Sequence, residues 1–286
     1  MDVIYITVIC LGAIALVAGI VLFVASKKFA VIENPLIDEV EELLPGANCG
    51  GCGFAGCRAF AEAFVTTKNT ELKCPPGGPA VMEAIAAKVG IAVKDHVRIV
   101  ARIRCQGGSN SVRAGEYHGI RTCAAAQIGN NVDLVCPYGC IGYGDCIRAC
   151  PFDAIRSIDG IAVVDENKCV GCGVCVRACP RNLIELTRYD KRVYVACNSP
   201  DKGPQVKKYC SVGCIGCKMC ERACQFEAIA FKPFLAAVKP DQCTECLACV
   251  DKCPPKTILF RGDDAFAVKP AEPGSVSIDR ESTVSA

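Results

Sequence analysis

Two short stretches, KCVGCGVCVRACP at 168–180 and QCTECLACVDKCP at 242–254, each put four thiols into eleven residues at spacings x2, x2 and x3 and close on proline. No regular helix or strand explains that pattern. Neighbours this close are better placed to share one metal centre than to bridge distant loops as disulfides. A structural zinc site instead sets two C-x2-C pairs apart by a long loop. With 25 cysteines in 286 residues, 6% aromatic content and no tryptophan, small cysteine-rich modules lack the apolar bulk to fold alone, so bound metal has to help fold them. The net charge of +2, with no basic cluster interleaved with aromatics, excludes nucleic acid as the partner.

The spacing is that of bacterial two-cluster ferredoxins, in which three cysteines at x2 steps wrap one cubane and the fourth crosses to the partner cluster. Each run therefore needs a second one. Upstream lie Cys136, Cys140, Cys146 and Cys150 in CPYGCIGYGDCIRACP, and Cys214, Cys217, Cys220 and Cys224 in CIGCKMCERACQ. The two halves repeat with an offset of 74: Cys123, Cys136, Cys140, Cys146, Cys150, Cys169, Cys172, Cys175 and Cys179 each meet a cysteine 74 positions on. Tyr143 stands where the second repeat has Cys217, and Cys136 can fill that gap. The expected sets are Cys136, Cys140, Cys146 with Cys179; Cys169, Cys172, Cys175 with Cys150; Cys214, Cys217, Cys220 with Cys253; and Cys243, Cys246, Cys249 with Cys224. The segments between runs read as strand, turn, strand, with Asp159-Gly160 as the first turn. Gln225 replaces the usual proline after Cys224, which questions the geometry of that corner.

Nearer the N-terminus, NCGGCGFAGCRAF and CPPGG supply Cys49, Cys52, Cys57 and Cys74, spaced x2, x4 and x16. Four thiolates can close around one cubane there, with glycines letting the backbone fold tightly against an inorganic core. Structural zinc competes for this site. Gly51, Gly53 and Gly56 satisfy G-x-G-x-x-G, but no strand precedes them and a cysteine lies inside, so a dinucleotide site is rejected.

Before this module, Val3 to Ala25 is an uncharged run of 23 residues, which as a helix spans about 34 Å. Lys27 and Lys28 follow it rather than precede it, which favours a retained anchor over a cleaved signal and places the cysteine modules in the cytoplasm. Cys10 is a small apolar residue of that helix. Cys105, Cys123, Cys197 and Cys210 are left over; they either make a sixth cluster or include plain buried thiols, and by the repeat Cys210 corresponds to Cys136. His96 and His118 have no partner at ligand spacing and are assigned no role.

ELLPGANCGGCGFAGC with CPPGG, the phrase CPYGCIGYGDCIRACPFDAI, the N-terminal apolar helix and the tandem runs together resemble the B subunit of the Rnf complex over most of the chain. The resemblance implies a subunit of a ferredoxin:NAD oxidoreductase that takes electrons from soluble ferredoxin and passes them to membrane and flavin-bearing partners while sodium ions or protons are pumped. Shorter members have one two-cluster module, so this chain is an enlarged form. The expected fold class is α+β, in the order 1–28 transmembrane anchor, 29–85 N-terminal 4Fe-4S module, 86–130 linker with extra cysteines, 131–190 and 191–262 ferredoxin-like modules, and 263–286 disordered tail. At least five 4Fe-4S clusters are expected, and six if the leftover thiols bind one. No catalytic residue, phosphate loop or flavin pocket is found, so the work is outer-sphere electron transfer. The competing readings are a polyferredoxin subunit of another membrane redox complex and a cysteine-rich zinc scaffold. The expected setting is the plasma or inner membrane, single-pass and in contact with lipid.

Overall fold

The computed structural model describes residues 2–28, 34–92, 97–128 and 133–261; the expected tail lies outside the described residues, as does His96. Helix α1 (Asp2–Lys28) has an apolar span from Ile4 to Lys28, and its large side chains are exposed around the whole circumference. At 1.5 Å per residue its 27 residues rise about 40 Å, enough to cross a hydrocarbon core of about 30 Å. A helix with no polar face belongs in lipid.

The N-terminal module is three helices, α2 (Pro35–Leu43), α3 (Cys57–Thr67) and α4 (Gly78–Val89). Asn34 caps α2 by accepting from the Leu36 amide at 3.1 Å, and Pro35 occupies the first turn, where no amide is needed. Its apolar stripe, Ile37 and Val40, packs on Phe60, Phe64 and Met82. Phe54, Phe60 and Phe64 form a ring ladder with centroids 5.9 and 5.8 Å apart. This small core, each buried phenyl contributing about 2–3 kcal/mol, is what holds the loop 48–57 in place.

The rest of the chain contains β1 (Ile99–Ile103), α5 (Cys123–Ile128), α6 (Asp145–Arg148), β2 (Ile155–Ile158), β3 (Ile161–Val164), α7 (Val174–Ala178) and β4 (Ile184–Arg188), then β5 (Val193–Val195), α8 (Gly203–Tyr209), α9 (Met219–Ala223), β6 (Ile229–Lys232), β7 (Leu235–Val238), α10 (Ala248–Asp251) and β8 (Ile258–Phe260). The hairpin β2–β3 turns on Asp159 and Gly160, both left-handed at φ 51° and 74°, the conformation that a two-residue turn between twisted strands requires. The hairpin β6–β7 joins its strands through Pro233 and Phe234, neither of them left-handed, so its turn is of a different kind. Each module is completed by an upstream strand: β1 pairs with β4 and β5 with β8, both antiparallel. The segment expected to be a linker thus supplies a strand to the first module.

A buried ion network joins the two modules. Arg102, 1% exposed on β1, donates from Nε to Glu166 Oε1 at 2.9 Å and from its Nη2 to Oε2 at 3.2 Å, and also bonds the Lys191 carbonyl. Arg261, at the end of β8, reaches the same carboxylate at 3.1 Å. Removing one partner strands a buried charge, so Glu166→Ala is expected to cost about 3–5 kcal/mol. Replacing all three by apolar residues of similar volume should recover most of that. Anaerobic urea titration followed by visible iron-sulfur absorbance measures both.

Candidate metal centres

All 25 cysteines lie in the described residues and none is in a disulfide. Outside α1 they gather into six quartets. Cys49, Cys52, Cys57 and Cys74 are mutual neighbours in the N-terminal module. Asn48 accepts from the Cys57 amide at 2.8 Å and so fixes the start of α3 beside that site. Cys150, Cys169, Cys172 and Cys175 line one cavity, and Cys224, Cys243, Cys246 and Cys249 line its counterpart in the second module. Cys214, Cys217, Cys220 and Cys253 face one another. These four sets are the expected ones.

The remaining two differ from expectation. Cys123 joins Cys140, Cys146 and Cys179 around one cavity, whereas Cys136 sits with Cys105, Cys197 and Cys210 around another. The thiol that makes up for Tyr143 is therefore Cys123, not Cys136. It opens α5, held where it is because its own amide and that of Ala124 donate to the Asp145 carboxylate at 3.0 and 2.9 Å. The Tyr143 amide donates to the Cys123 sulfur, and the Tyr143 ring packs on Tyr117 with centroids 5.5 Å apart. The sequence signal was present in Asp145, a side chain able to anchor a distant helix start, but nothing local showed which segment it would catch.

Strand register explains the other quartet. Ile103 pairs with Ile184 and Val195 with Ile258, and 184 and 258 are one repeat apart, so Cys105 and Cys197, each two residues further on, are structural equivalents. The 74-residue step from Cys123 to Cys197 is a coincidence of loop length. This central quartet draws one thiol from each of four separate segments at the junction of the modules.

The backbone returns amides to the sulfurs. Leu183 donates to Cys179, Ala228 to Cys224 and Thr257 to Cys253, at 3.4, 3.4 and 3.3 Å. Each bond follows a left-handed residue three positions beyond the cysteine, namely Asn182, Glu227 and Lys256. The corner at Gln225 has the same bond as the two at proline, so it turns in the same way. Ala101 on β1 donates to Cys169 at 3.3 Å.

Burial first, then neighbouring thiolates, push these thiols up: Cys140, Cys175 and Cys220 to about 12, Cys74, Cys136 and Cys249 to about 11. In Cys140 and several others, amide donors pull partly the other way. At neutral pH such thiols stay protonated unless a cation replaces the proton, so loading the sites releases protons and is favoured as pH rises. Among the described residues, no three cysteine, histidine or carboxylate side chains converge on one ion position. Four thiols around one cavity are a donor set that fits an iron-sulfur core, and the spacing of the two C-x2-C-x2-C-x3-C runs is that of 4Fe-4S sites. His118 is exposed and belongs to no such group.

Arg181, which the sequence reading did not single out, is half-buried between two quartets. It donates to the carbonyls of Cys136 at 3.0 Å and Gly139 at 2.7 Å and to Gln127 at 2.7 Å. Burial lowers its pKa, and the thiolates of Cys136, Cys140, Cys105 and Cys123 raise it.

The quartets are linked in a line. Gly51 lies so close to Cys172 that an added Cβ would come within 2.7–2.9 Å of its backbone and Cβ. The Cys140 amide donates to the Cys105 sulfur at 3.3 Å, and the Cys214 amide donates to the Cys197 sulfur. Cys146 and Cys150 share one short helical turn between neighbouring sets, as do Cys220 and Cys224.

Three family models match: "Putative Fe-S cluster" over 44–76, "4Fe-4S binding domain" over 162–185 and "4Fe-4S dicluster domain" over 213–258. The chain is 43% identical, over 88% of its length and 96% of the relative's, to the B subunit of the ion-translocating oxidoreductase complex of Methanosarcina acetivorans. It is 43% identical to the B subunit of the proton-translocating ferredoxin:NAD(+) oxidoreductase complex of Clostridium ljungdahlii, over 89% of this chain and 91% of that one. With the Na(+)-translocating counterpart of Acetobacterium woodii it shares 40%, over 85% and 74%.

Cys123→Ser should remove one cluster, about four iron atoms, and Tyr143→Cys in that background should restore it, because it rebuilds the regular spacing. Iron assay and EPR on the pair report this. Arg181→Gln removes a positive charge from between two centres and is expected to make both reduction potentials more negative in a redox titration.

Proposed function

Because the chain belongs to the family of B subunits of Rnf-type ion-translocating oxidoreductase complexes, we propose that it relays single electrons from reduced ferredoxin, through six 4Fe-4S centres, to partner subunits of such a complex. The observation that carries this reading is the unbroken line of six thiol quartets. In order they are Cys49/52/57/74, Cys150/169/172/175, Cys123/140/146/179, Cys105/136/197/210, Cys214/217/220/253 and Cys224/243/246/249.

When bound, a 4Fe-4S core exchanges one electron at a time at a potential set by its surroundings. The chain's own residues do the rest. The thiols hold the cores, amides such as those of Ala101, Leu183, Ala228 and Thr257 donate to sulfur, and the apolar walls Ile103, Ile141 and Leu183 keep water from one cavity. Amides donated from one quartet to a sulfur of the next keep neighbouring centres in contact through protein rather than solvent. Helix α1 fastens the N-terminal end of the line to the membrane, and Lys27 and Lys28 in its last turn favour a cytoplasmic position for the modules. In that compartment thiols stay reduced and available.

Anaerobically purified protein is expected to carry about 24 iron and 24 sulfide per chain, four of each per quartet, and to be reduced by ferredoxin poised at low potential. Iron and sulfide assays with EPR of the reduced protein measure both. Zinc in place of iron, or centres that ferredoxin leaves oxidised, would overturn the reading.

A further inference from the structure

The two modules are near-copies, yet they treat one equivalent corner differently. In the first, Cys172 is 9% exposed because the loop of the N-terminal module lies on it, with Gly51 against its backbone and Gly50 beside Arg177. In the second, the equivalent thiol is Cys246, and it is exposed; apart from Cys10 on α1, it is the one exposed thiol among the described residues. Phe152, which lines the first cavity, is half-buried, and its equivalent Phe226 lines the second cavity and is 45% exposed. The corner that takes a cluster-bearing module in one half is bare in the other.

Charge says what fits there. The docked N-terminal module carries seven carboxylates against four lysines and arginines over 34–92. Residues 191–261 carry twelve lysines and arginines against six carboxylates, a net positive charge over the whole module; at the open corner exposed Lys239, whose carbonyl accepts from the Cys243 amide, is flanked by exposed Glu227 and Asp241. We propose that the face around Cys246, Phe226 and Lys239 is the docking surface for a soluble, acidic iron-sulfur carrier protein, occupying the place that the N-terminal module occupies on the first half. This deepens the relay reading above and rests on it. On docking, one electron leaves the reduced carrier, which is oxidised, and enters this chain, which is reduced; no bond forms or breaks.

The test uses the purified complex in detergent and, as probe, an acidic two-cluster bacterial ferredoxin. Its affinity in the oxidised state is measured by calorimetry at low salt, and its contacts by carbodiimide cross-linking of its carboxylates to lysines. The variant Lys239→Glu, whose side chain lines none of the thiol cavities, is expected to weaken binding by about tenfold or more, with the wild-type affinity itself falling as salt rises. EPR after dithionite reduction should be unchanged, and Lys88→Glu on the N-terminal module should leave binding unaltered. Cross-links in the wild type should fall on Lys239 and its neighbours, a result that holds even if the variant fails to load clusters. Ferredoxin that binds and reduces both forms equally, cross-links confined to other modules, or Lys239 cross-linked to another subunit of the complex would each overturn the docking face and leave the relay standing. Ferredoxin that neither binds nor reduces a wild type fully reducible by dithionite would overturn the relay reading itself.

Discussion

Four thiolates cannot be gathered in an apolar cavity without a positive core to hold them. Burial already drives Cys140, Cys175 and Cys220 far above the usual thiol range, and each further thiolate nearby raises the cost. The modules answer with backbone geometry. Left-handed residues at Asn182, Glu227 and Lys256 turn the chain so that the next amide faces back to sulfur, and the hairpins supply Ile155, Ala162 and Ile229 to the walls of three cavities. Cysteines sit inside the apolar cores, as Cys146, Cys150, Cys169 and Cys175 do among Val100, Ile103, Ile155, Val164 and Ile184. Such a core stands only with its metal in place, so loading and folding are one event.

The line of centres has a joint, and the joint is where the structure spends its buried charge. Cys105, Cys136, Cys197 and Cys210 come from four segments, so their spacing depends on how the two modules sit together. Arg102, Glu166 and Arg261 lock that placement, with the Lys191 and Val164 carbonyls accepting further guanidinium hydrogens. A buried triad of this kind adds little net stability, but its bidentate geometry admits few alternatives, and that suits a junction where a small slide would pull a quartet apart. Arg181 has a related role at the neighbouring step, bracing the carbonyls of Cys136 and Gly139 with a fixed positive charge between two sets of thiolates.

Duplication gave two modules of one design, and the differences between them lie in what covers them. In the first half the loop before Asp145 brings Cys123 to the place of a missing ligand, and the N-terminal module lies on Cys172. In the second half the regular Cys217 is present, no added segment is needed, and the far corner stays open. The same fold is thus covered by another module at one corner and open at the equivalent corner.

Much of this was legible in the residue order. The C-x2-C-x2-C-x3-C-P runs, the 74-residue offset, the Asp159-Gly160 turn and the apolar α1 all depend on neighbours in sequence, so spacing and local chemistry were enough to read four quartets, the first hairpin and the membrane helix. The fifth and sixth quartets were not legible as sets. Cys136 stands 7 residues before the gap at Tyr143 and Cys123 stands 20 before it, so linear spacing favours Cys136. What overrides that is tertiary: Asp145 catches the start of α5 and brings Cys123 in, while β1 and β5, pairing with β4 and β8, carry Cys105 and Cys197 to the junction beside Cys136 and Cys210. A ligand's type and count can be read along a chain, but which thiols share a cavity is settled by strand register and helix capping over tens of residues, and those exist only once the chain has folded.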